Sequence, residues 1–323
     1  MRLLIIGGTV FVGRHVAEGA VARGHAVTVF HRGRHGRAPD GAETLIGDRT
    51  SDLSALEGRE WDAVIDTCGF APEDVALTAG ALADRAGHYG FVSSGSAYAD
   101  WPHAPVSEDS PVFETDEREY GPLKAACERA AEAAMPGRVL VARAGVIVGP
   151  HENIGRLPRW LWRLAEGGEV LAPGPPDAPL QLIDARDLAA WMLDMAEGAR
   201  GGAFNAISRP GSATWGELLA AALAVTGGAA ELRWADPAWL EAQVEEPWDE
   251  LPLWPIPSLP GLYGMSAERA AAAGLAPRPL AQTVADTWSW LAAGGVLEDW
   301  RSEVRASGLS GEAERGLLAA LRS

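Results

Sequence analysis

Short apolar runs recur through the first half of the chain, each ended by small or polar residues. Leu3, Leu4, Ile5 and Ile6 form the first run, which stops at Gly7-Gly8-Thr9. Four consecutive apolar positions suit a strand buried on both faces, as in the middle of a parallel sheet. Helical spacing follows, with Phe11, Val12, Val16 and Ala20 on one side. Further strands are predicted at Ala26–Phe30, Glu43–Ile46, Ala63–Asp66, Tyr89–Ser93 and Val139–Ala142. Between them the pattern predicts a short helix around Leu53 and Leu56, a helix from Pro72 to Ala86, a loop over 100–117 and a helix from Glu119 to Met135. Strand and helix alternating over short connections imply an α/β fold, a Rossmann-type doubly wound parallel sheet with right-handed crossovers.

From Gly149-Pro150 onward Gly, Pro and Trp become frequent and strands become short. This divides the chain into a dinucleotide-binding Rossmann domain over 1–150 and a smaller C-terminal α/β substrate lobe over 151–323, with segments near 180–206 returning to the first domain. Helices are expected near 155–166, 185–197, 214–226, 236–244 and 279–293, with a Pro/Trp loop from Glu246 to Pro260. The last thirty residues read as two amphipathic helices anchored by Trp300, Leu317, Leu318 and Leu321.

Composition narrows the function classes. A length of 323 residues supports a large core, and 47% apolar content is that of an ordinary globular protein. A net charge of -17 repels phosphodiester backbones and anionic lipid heads, which argues against nucleic acid and membrane as partners. Cys68 and Cys127 form no CxxC pair, as expected in a reducing compartment. The opening apolar run is too short for a signal peptide or a membrane span, so a soluble, cytoplasmic protein is expected. The histidines show no metal-ligand spacing, so no metal site is expected. Ser94 lies in SSGS and not in a GxSxG elbow, which disfavours a hydrolase.

In open parallel sheets ligands bind beyond the carboxyl ends of the strands, so the small and polar clusters there should converge. Gly7 and Gly13 occupy the first and third glycine places of a dinucleotide turn, and Val10 holds the middle one. Glycine lets the backbone approach a pyrophosphate, which the N-terminus of the following helix then binds. A carboxylate normally follows the second strand to bind an adenosine ribose. Here His31-Arg32-Gly33-Arg34-His35-Gly36-Arg37 stands in its place. Guanidinium forks match a 2′-phosphate, which points to NADP, with NAD the weaker alternative. Tyr120 and Lys124 are four apart on a predicted helix and share one face. Hydride transfer to a carbonyl needs a proton for the new alkoxide. A tyrosine hydroxyl, with a pKa of about 10, is a poor donor near neutrality unless a cation stabilises tyrosinate. A serine hydroxyl can hold the substrate oxygen. Ser94, Tyr120 and Lys124 suit these tasks.

Taken together, GGTVFVG, VSSGSAY, YGPLK, ARAGVIVGP and LQLIDARDLA resemble the extended and atypical short-chain dehydrogenase/reductases, the NAD-dependent epimerase/dehydratase family. GGTVFVG followed by FHRGRHG is most similar to the isoflavone-reductase-like branch, beside stem-loop-binding-like members. The resemblance implies that Ser94 anchors substrate, that Tyr120 is the acid/base and that Lys124 holds the ribose and tunes Tyr120. It implies a cofactor cleft lined by Gly7, Thr9, Phe11, Val12, Gly13, His31, Arg32, Arg34, Ser93, Ala144 and Val146. Asp48 and Arg49 would face the adenine, and Thr67, Cys68 and Gly69 would line the wall. Gly95-Ser96 stand where sugar dehydratases of the family carry Asp-Glu, and Val146 stands where nucleotide-sugar enzymes carry Asn. Both departures count against those substrates.

Eleven of the thirteen tryptophans lie beyond residue 150, and most are expected in the core. Trp248 and Trp254, in the Pro-rich loop, are candidates for a substrate pocket, with Ser96, Trp101 and His151. Arg156, Arg159 and Arg163 recur at helical spacing and could form one solvated face. The resulting expectation is an NADP(H)-dependent oxidoreductase that reduces a carbonyl or an activated double bond of a small, partly apolar metabolite. The alternatives are an NAD(P)-dependent epimerase of a sugar or related metabolite, and a non-catalytic NADP-binding sensor or nucleic-acid-binding protein. The Ala-rich face of 125–134 is compatible with a homodimer.

Overall fold

In the computed structural model, which describes residues 1–115, 117–295 and 308–322, alternation along a single strand already shows where the layers lie. Strand β1 (Arg2–Ile6) sends Leu3 and Ile5 into one core and Leu4 and Ile6 into another, on opposite faces of the sheet. Beside it run β2 (Ala26–His31), β3 (Glu43–Ile46), β4 (Ala63–Asp66), β5 (Tyr89–Ser94) and β6 (Val139–Ala144). The remaining strands are β7 (Val146–Val148), β8 (Gly168–Pro173), β9 (Pro179–Leu180), β10 (Leu182–Asp184), β11 (Gly202–Ala206), β12 (Ala213–Thr214) and β13 (Ala230–Ala235). Seven strands make one sheet in the order β11-β6-β5-β4-β1-β2-β3, each pair parallel. This is the Rossmann-type doubly wound sheet.

Helices α1 (Phe11–Ala22) and α5 (Ala185–Glu197) pack together on the face holding Leu3 and Ile5. Helices α2 (Pro72–Leu82) and α3 (Tyr120–Ala134) pack together on the other. The register aligns Ile6 with both Phe30 and Asp66, so Gly7, His31 and Thr67 leave the sheet side by side. Strand order reverses between β1 and β4, and the ligand crevice is expected there.

The second lobe has its own core. It is built from α4 (Arg156–Glu166), α6 (Trp215–Thr226), α10 (Leu280–Ala292) and α11 (Gly311–Leu321), with the parallel β8–β13 pair. Two short helices, α7 (Pro237–Glu241) and α8 (Pro247–Glu250), belong to the same lobe, whereas α9 (Glu268–Ala272) packs Ala270 into the core that holds Leu3 and Ile5, beside β11. Trp160 and Trp215 meet edge-on there, with ring centroids 5.1 Å apart. The expected Pro/Trp loop contains the one-turn helix α8, begun by Pro247, whose fixed φ suits a first helical position. Trp300, expected as an apolar anchor, lies outside the described residues.

Candidate active site

The carboxyl ends of β1, β2, β4, β5 and β6 open into one cleft of about 720 Å³, closed on the far side by the second lobe. Gly7, Thr9, Phe11, Val12 and Gly13 form its floor. Gly7 has φ of 103°, and a Cβ there would lie 2.5 Å from Thr67 Oγ1. A Cβ on Gly13 would lie 2.6 Å from the Gly8 nitrogen. Both positions therefore exclude a side chain. Val10 caps α1 without any side-chain hydrogen bond, and the first turn carries no acidic residue. By contrast, Thr214 and Glu217 form a full capping box on α6. The start of α1 is thus left open to an anionic ligand, and a cradle of this shape suits a pyrophosphate.

At the end of β2, Arg32 and Arg34 line the cleft and are exposed. Neither closes an ion pair among the described residues. Asp48 sits nearby, and its carboxyl is held below the usual range by hydrogen bonds from Thr50, then by Arg32 and Arg34. His31 also lines the cleft, and its Nε2 is buried without a partner among the described residues. Among the described residues these are two guanidinium groups without an ion pair and one unsatisfied ring nitrogen, at the position where an adenosine phosphate is held in such folds.

Arg49 reaches the cleft wall, but its guanidinium is turned inward. It donates 2.7 and 2.8 Å bonds to both carboxylate oxygens of the fully buried Asp66. Tyr89 donates a third bond, 2.7 Å, and the Cys68 amide a fourth, 3.1 Å. Burial alone would raise Asp66, and Arg49 outweighs it to hold the carboxyl below its ordinary range. Arg49 therefore braces the end of β4 and does not present its charge to an adenine. Thr67 and Cys68 line the wall. Gly69 does not. It is buried behind them, where a Cβ would meet the Phe91 ring at 2.5 Å.

Ser94, Ser96, Tyr120 and Lys124 lie along one side of the cleft. Ser94 ends β5, and its Oγ accepts a 3.1 Å bond from the Ser96 amide. Tyr120 begins α3 and is 48% exposed, with its hydroxyl engaged by no described residue. Lys124, one turn later, is only 3% exposed. Its Nζ donates to the carbonyls of Gly69, at 2.9 Å, and Val92, at 2.7 Å, and lies 4.3 Å from the Phe91 ring centroid. Burial brings its pKa down to about 8. Two of the three ammonium hydrogens are taken, which leaves one for a ligand hydroxyl. Beneath this row Ser93, itself on the wall, donates to Glu128, and Glu128 pairs with Arg143 at 2.7 Å. Both partners are buried, so this pair fixes α3 against β5 and β6. Ala144 and Val146 line the cleft beside it.

Of the substrate candidates, Ser96, Trp101 and Trp248 line the cleft. Trp254 does not. It is fully buried in the second core, with Nε1 donating to the Gly174 carbonyl at 3.2 Å. His151 does not either. Its ring is packed between His15 and Trp290, at 5.6 and 5.0 Å, and burial followed by the charge of Arg14 lowers its pKa to about 4.

Residues 74–206 match the model of the NAD dependent epimerase/dehydratase family. The chain carries that match over 133 of its 323 residues. Its fold is similar to that of a UDP-glucose 4-epimerase, at 17% identity and a TM-score of 0.69 over 91% of this chain and 98% of that one. It is similar to the Bordetella bronchiseptica enzyme WbmH, solved with NAD+, at 19% identity and a TM-score of 0.68 over 91% and 99%. It is also similar to human epimerase family protein SDR39U1, solved with NADPH, at 22% identity and a TM-score of 0.61 over 90% and 99%. No curated protein sequence matches the chain significantly.

Several cleft residues carry no signal in the sequence. Asn153, Ile154, Leu259 and Leu262 carry no motif and reach the cleft only because the second lobe folds over it. Arg156 was grouped with Arg159 and Arg163 as one helical face, but the three diverge. Arg159 bonds the Leu309 carbonyl, and Arg163 pairs with Glu314 at 2.6 Å. Arg156 alone of the three lines the cleft.

Beneath Arg156 lies Glu152, fully buried, whose carboxyl accepts from the Arg156 and Leu157 amides at 2.7 and 3.3 Å. Burial pushes its pKa up to about 7, from an ordinary 4.5. The folded state therefore holds this proton more tightly than the unfolded chain does. The stability it contributes is full below about pH 4.5 and lost as pH rises through about 7, on the order of 3 kcal/mol. Glu152→Gln should flatten urea-unfolding stability across that window and exceed the parent protein at pH 8. Unchanged pH dependence in the variant would contradict this.

Proposed function

We propose that the chain is an NADP(H)-dependent oxidoreductase that reduces a carbonyl, or an activated double bond, of a small and partly apolar metabolite. The observation that carries this reading is the sharing of one cleft by two sets of groups. Unpaired Arg32 and Arg34 stand at one strand end, and Ser94, Tyr120 and Lys124 stand at another. When bound, a nicotinamide supplies the hydride. Ser94 holds the substrate oxygen, and Tyr120 delivers a proton to it as negative charge develops. Lys124 offers its remaining N–H to a ribose hydroxyl and keeps positive charge near Tyr120. The Asp66–Arg49–Tyr89 and Glu128–Arg143 groups hold the strand ends that carry these residues.

The test is cofactor choice. NADPH should bind more tightly than NADH in fluorescence titration. Replacing Arg32 and Arg34 together by Ser should weaken NADPH about 10- to 100-fold, the worth of charge-assisted hydrogen bonds, and leave NADH nearly unchanged. Tighter binding of NADH by the parent protein would defeat the assignment of Arg32 and Arg34. A second reading, an epimerase, is favoured by the 4-epimerase structures of the same fold. An epimerase interconverts substrates without net consumption of nucleotide, whereas a reductase consumes one NADPH per turnover. Absorbance at the nicotinamide band separates the two.

A further inference from the structure

We propose that the substrate carries a single carboxylate on an apolar body, held by Arg156 against the face of Trp248. This deepens the reading above and rests on it for the location of the substrate. Arg156 is the first residue of α4, and its guanidinium lies 5.4 Å from the Trp248 ring centroid. Among the described residues that guanidinium closes no ion pair and donates no hydrogen bond. Its charge acts on the buried Glu152 carboxyl beneath it, but with no ion pair closed it remains available to an anion, which it would draw inward in a chain with a net charge of -17.

The other cations of the cleft are either engaged or stand at another strand end. Arg49 is held by Asp66, and Lys124 by two carbonyls. Arg32 and Arg34 stand at the end of β2, at the cofactor end. The first amides of α4, which could themselves bind an anion, are taken by Glu152. Charge recognition at this end therefore falls to one guanidinium. One positive charge in a planar fork matches one carboxylate, whereas a diphosphate would leave charge uncompensated. Around it Trp101, Trp248, Leu259 and Leu262 supply apolar wall, and Asn153 a single amide. An aliphatic or aromatic acid suits that lining better than a sugar, whose hydroxyls would lack partners.

The experiment uses the full chain saturated with NADPH. Phenylacetate, 3-phenylpropionate and 4-phenylbutyrate are titrated against their amides, with UDP and inorganic phosphate as comparators, by calorimetry and by quenching of tryptophan fluorescence. At least one acid should bind tenfold or more tightly than its amide. Arg156→Gln should abolish that preference, Arg156→Lys should keep part of it, and both should bind NADPH as the parent does. Equal binding of acids and amides, no binding by any acid, or a preference that survives Arg156→Gln would overturn the proposal. So would UDP binding more tightly than every acid in an Arg156-dependent way. Should NADPH itself fail to bind, the cofactor reading falls, and the same titrations on the free chain still test Arg156.

Discussion

Tyr120→Phe should lower turnover about 10²- to 10⁴-fold, the usual worth of a positioned general acid. That corresponds to about 3–5 kcal/mol of transition-state stabilisation. The loss should be confined to chemistry. The side chain is half exposed, and its hydroxyl engages no described residue, so little folding free energy depends on it. Thermal unfolding should move within about 0.5 kcal/mol of the parent protein. Affinity for NADPH should hold, because the cradle of Gly7 and Gly13 and the unpaired Arg32 and Arg34 are untouched. Stopped-flow measurement of hydride transfer, beside direct titration of NADPH, separates the two effects. A variant that turned over at the parent rate would show that the proton comes from elsewhere, and the assignment of Ser94, Tyr120 and Lys124 would fall with it.

Arg49→Met should destabilise the fold by about 3–5 kcal/mol, because removing one member of a buried pair leaves the other uncompensated. Asp66 would keep only the Tyr89 hydroxyl and the Cys68 amide as partners. The sign of its pH dependence should also reverse. In the parent protein the lowered carboxyl contributes stability above its ordinary pKa of 3.8, which is lost as pH falls through the folded value. In the variant, burial, the largest influence on this carboxyl, is opposed only by the hydrogen bonds from Tyr89 and Cys68 and should raise it, so stability should be greatest in acid and fall toward neutrality. Urea unfolding at pH 4 and pH 8 reads both the magnitude and the sign. Adding Asp66→Asn should recover part of the loss, since a neutral amide still accepts from Tyr89. A single variant as stable as the parent at pH 8 would contradict this account of the site's foundation.

Much of the fold was legible because its signals are local. Continuous apolar runs marked the buried strands, and glycines marked the turn that enters α1. The ends of those strands, where polar residues cluster, followed from the parallel topology. Arg49 was misread because its motif position says only that it reaches the strand ends. Which way a guanidinium turns depends on a carboxylate at Asp66 and a hydroxyl at Tyr89, both distant in sequence. Trp254 and Trp248 lie in the same Pro-rich segment, yet one is sealed in the second core and the other borders the cleft. No pattern of neighbours distinguishes them, since burial of Trp254 in the second core, where its Nε1 donates to the Gly174 carbonyl, decides the matter. His151 was misplaced for the same reason, because its packing partners His15 and Trp290 come from α1 and α10. Arg156 was obscured by periodicity itself. Three arginines at helical spacing look equivalent until α11 claims Arg163 and the Leu309 carbonyl just before it claims Arg159.

Strand β11 closes the edge of the sheet beside β6, although it comes after the first segments of the second lobe, and α5 before it covers α1. During synthesis the seven-stranded sheet therefore cannot finish when residue 150 emerges. It must wait, with the edge of β6 bare and the outer side of α1 uncovered, until residue 206 has left the ribosome. By then α4 and β8 have been made as well. Helices α6, α10 and α11 follow residue 206, so the second core, which backs the far wall of the cleft, can be completed only after the last strand of the sheet has been made.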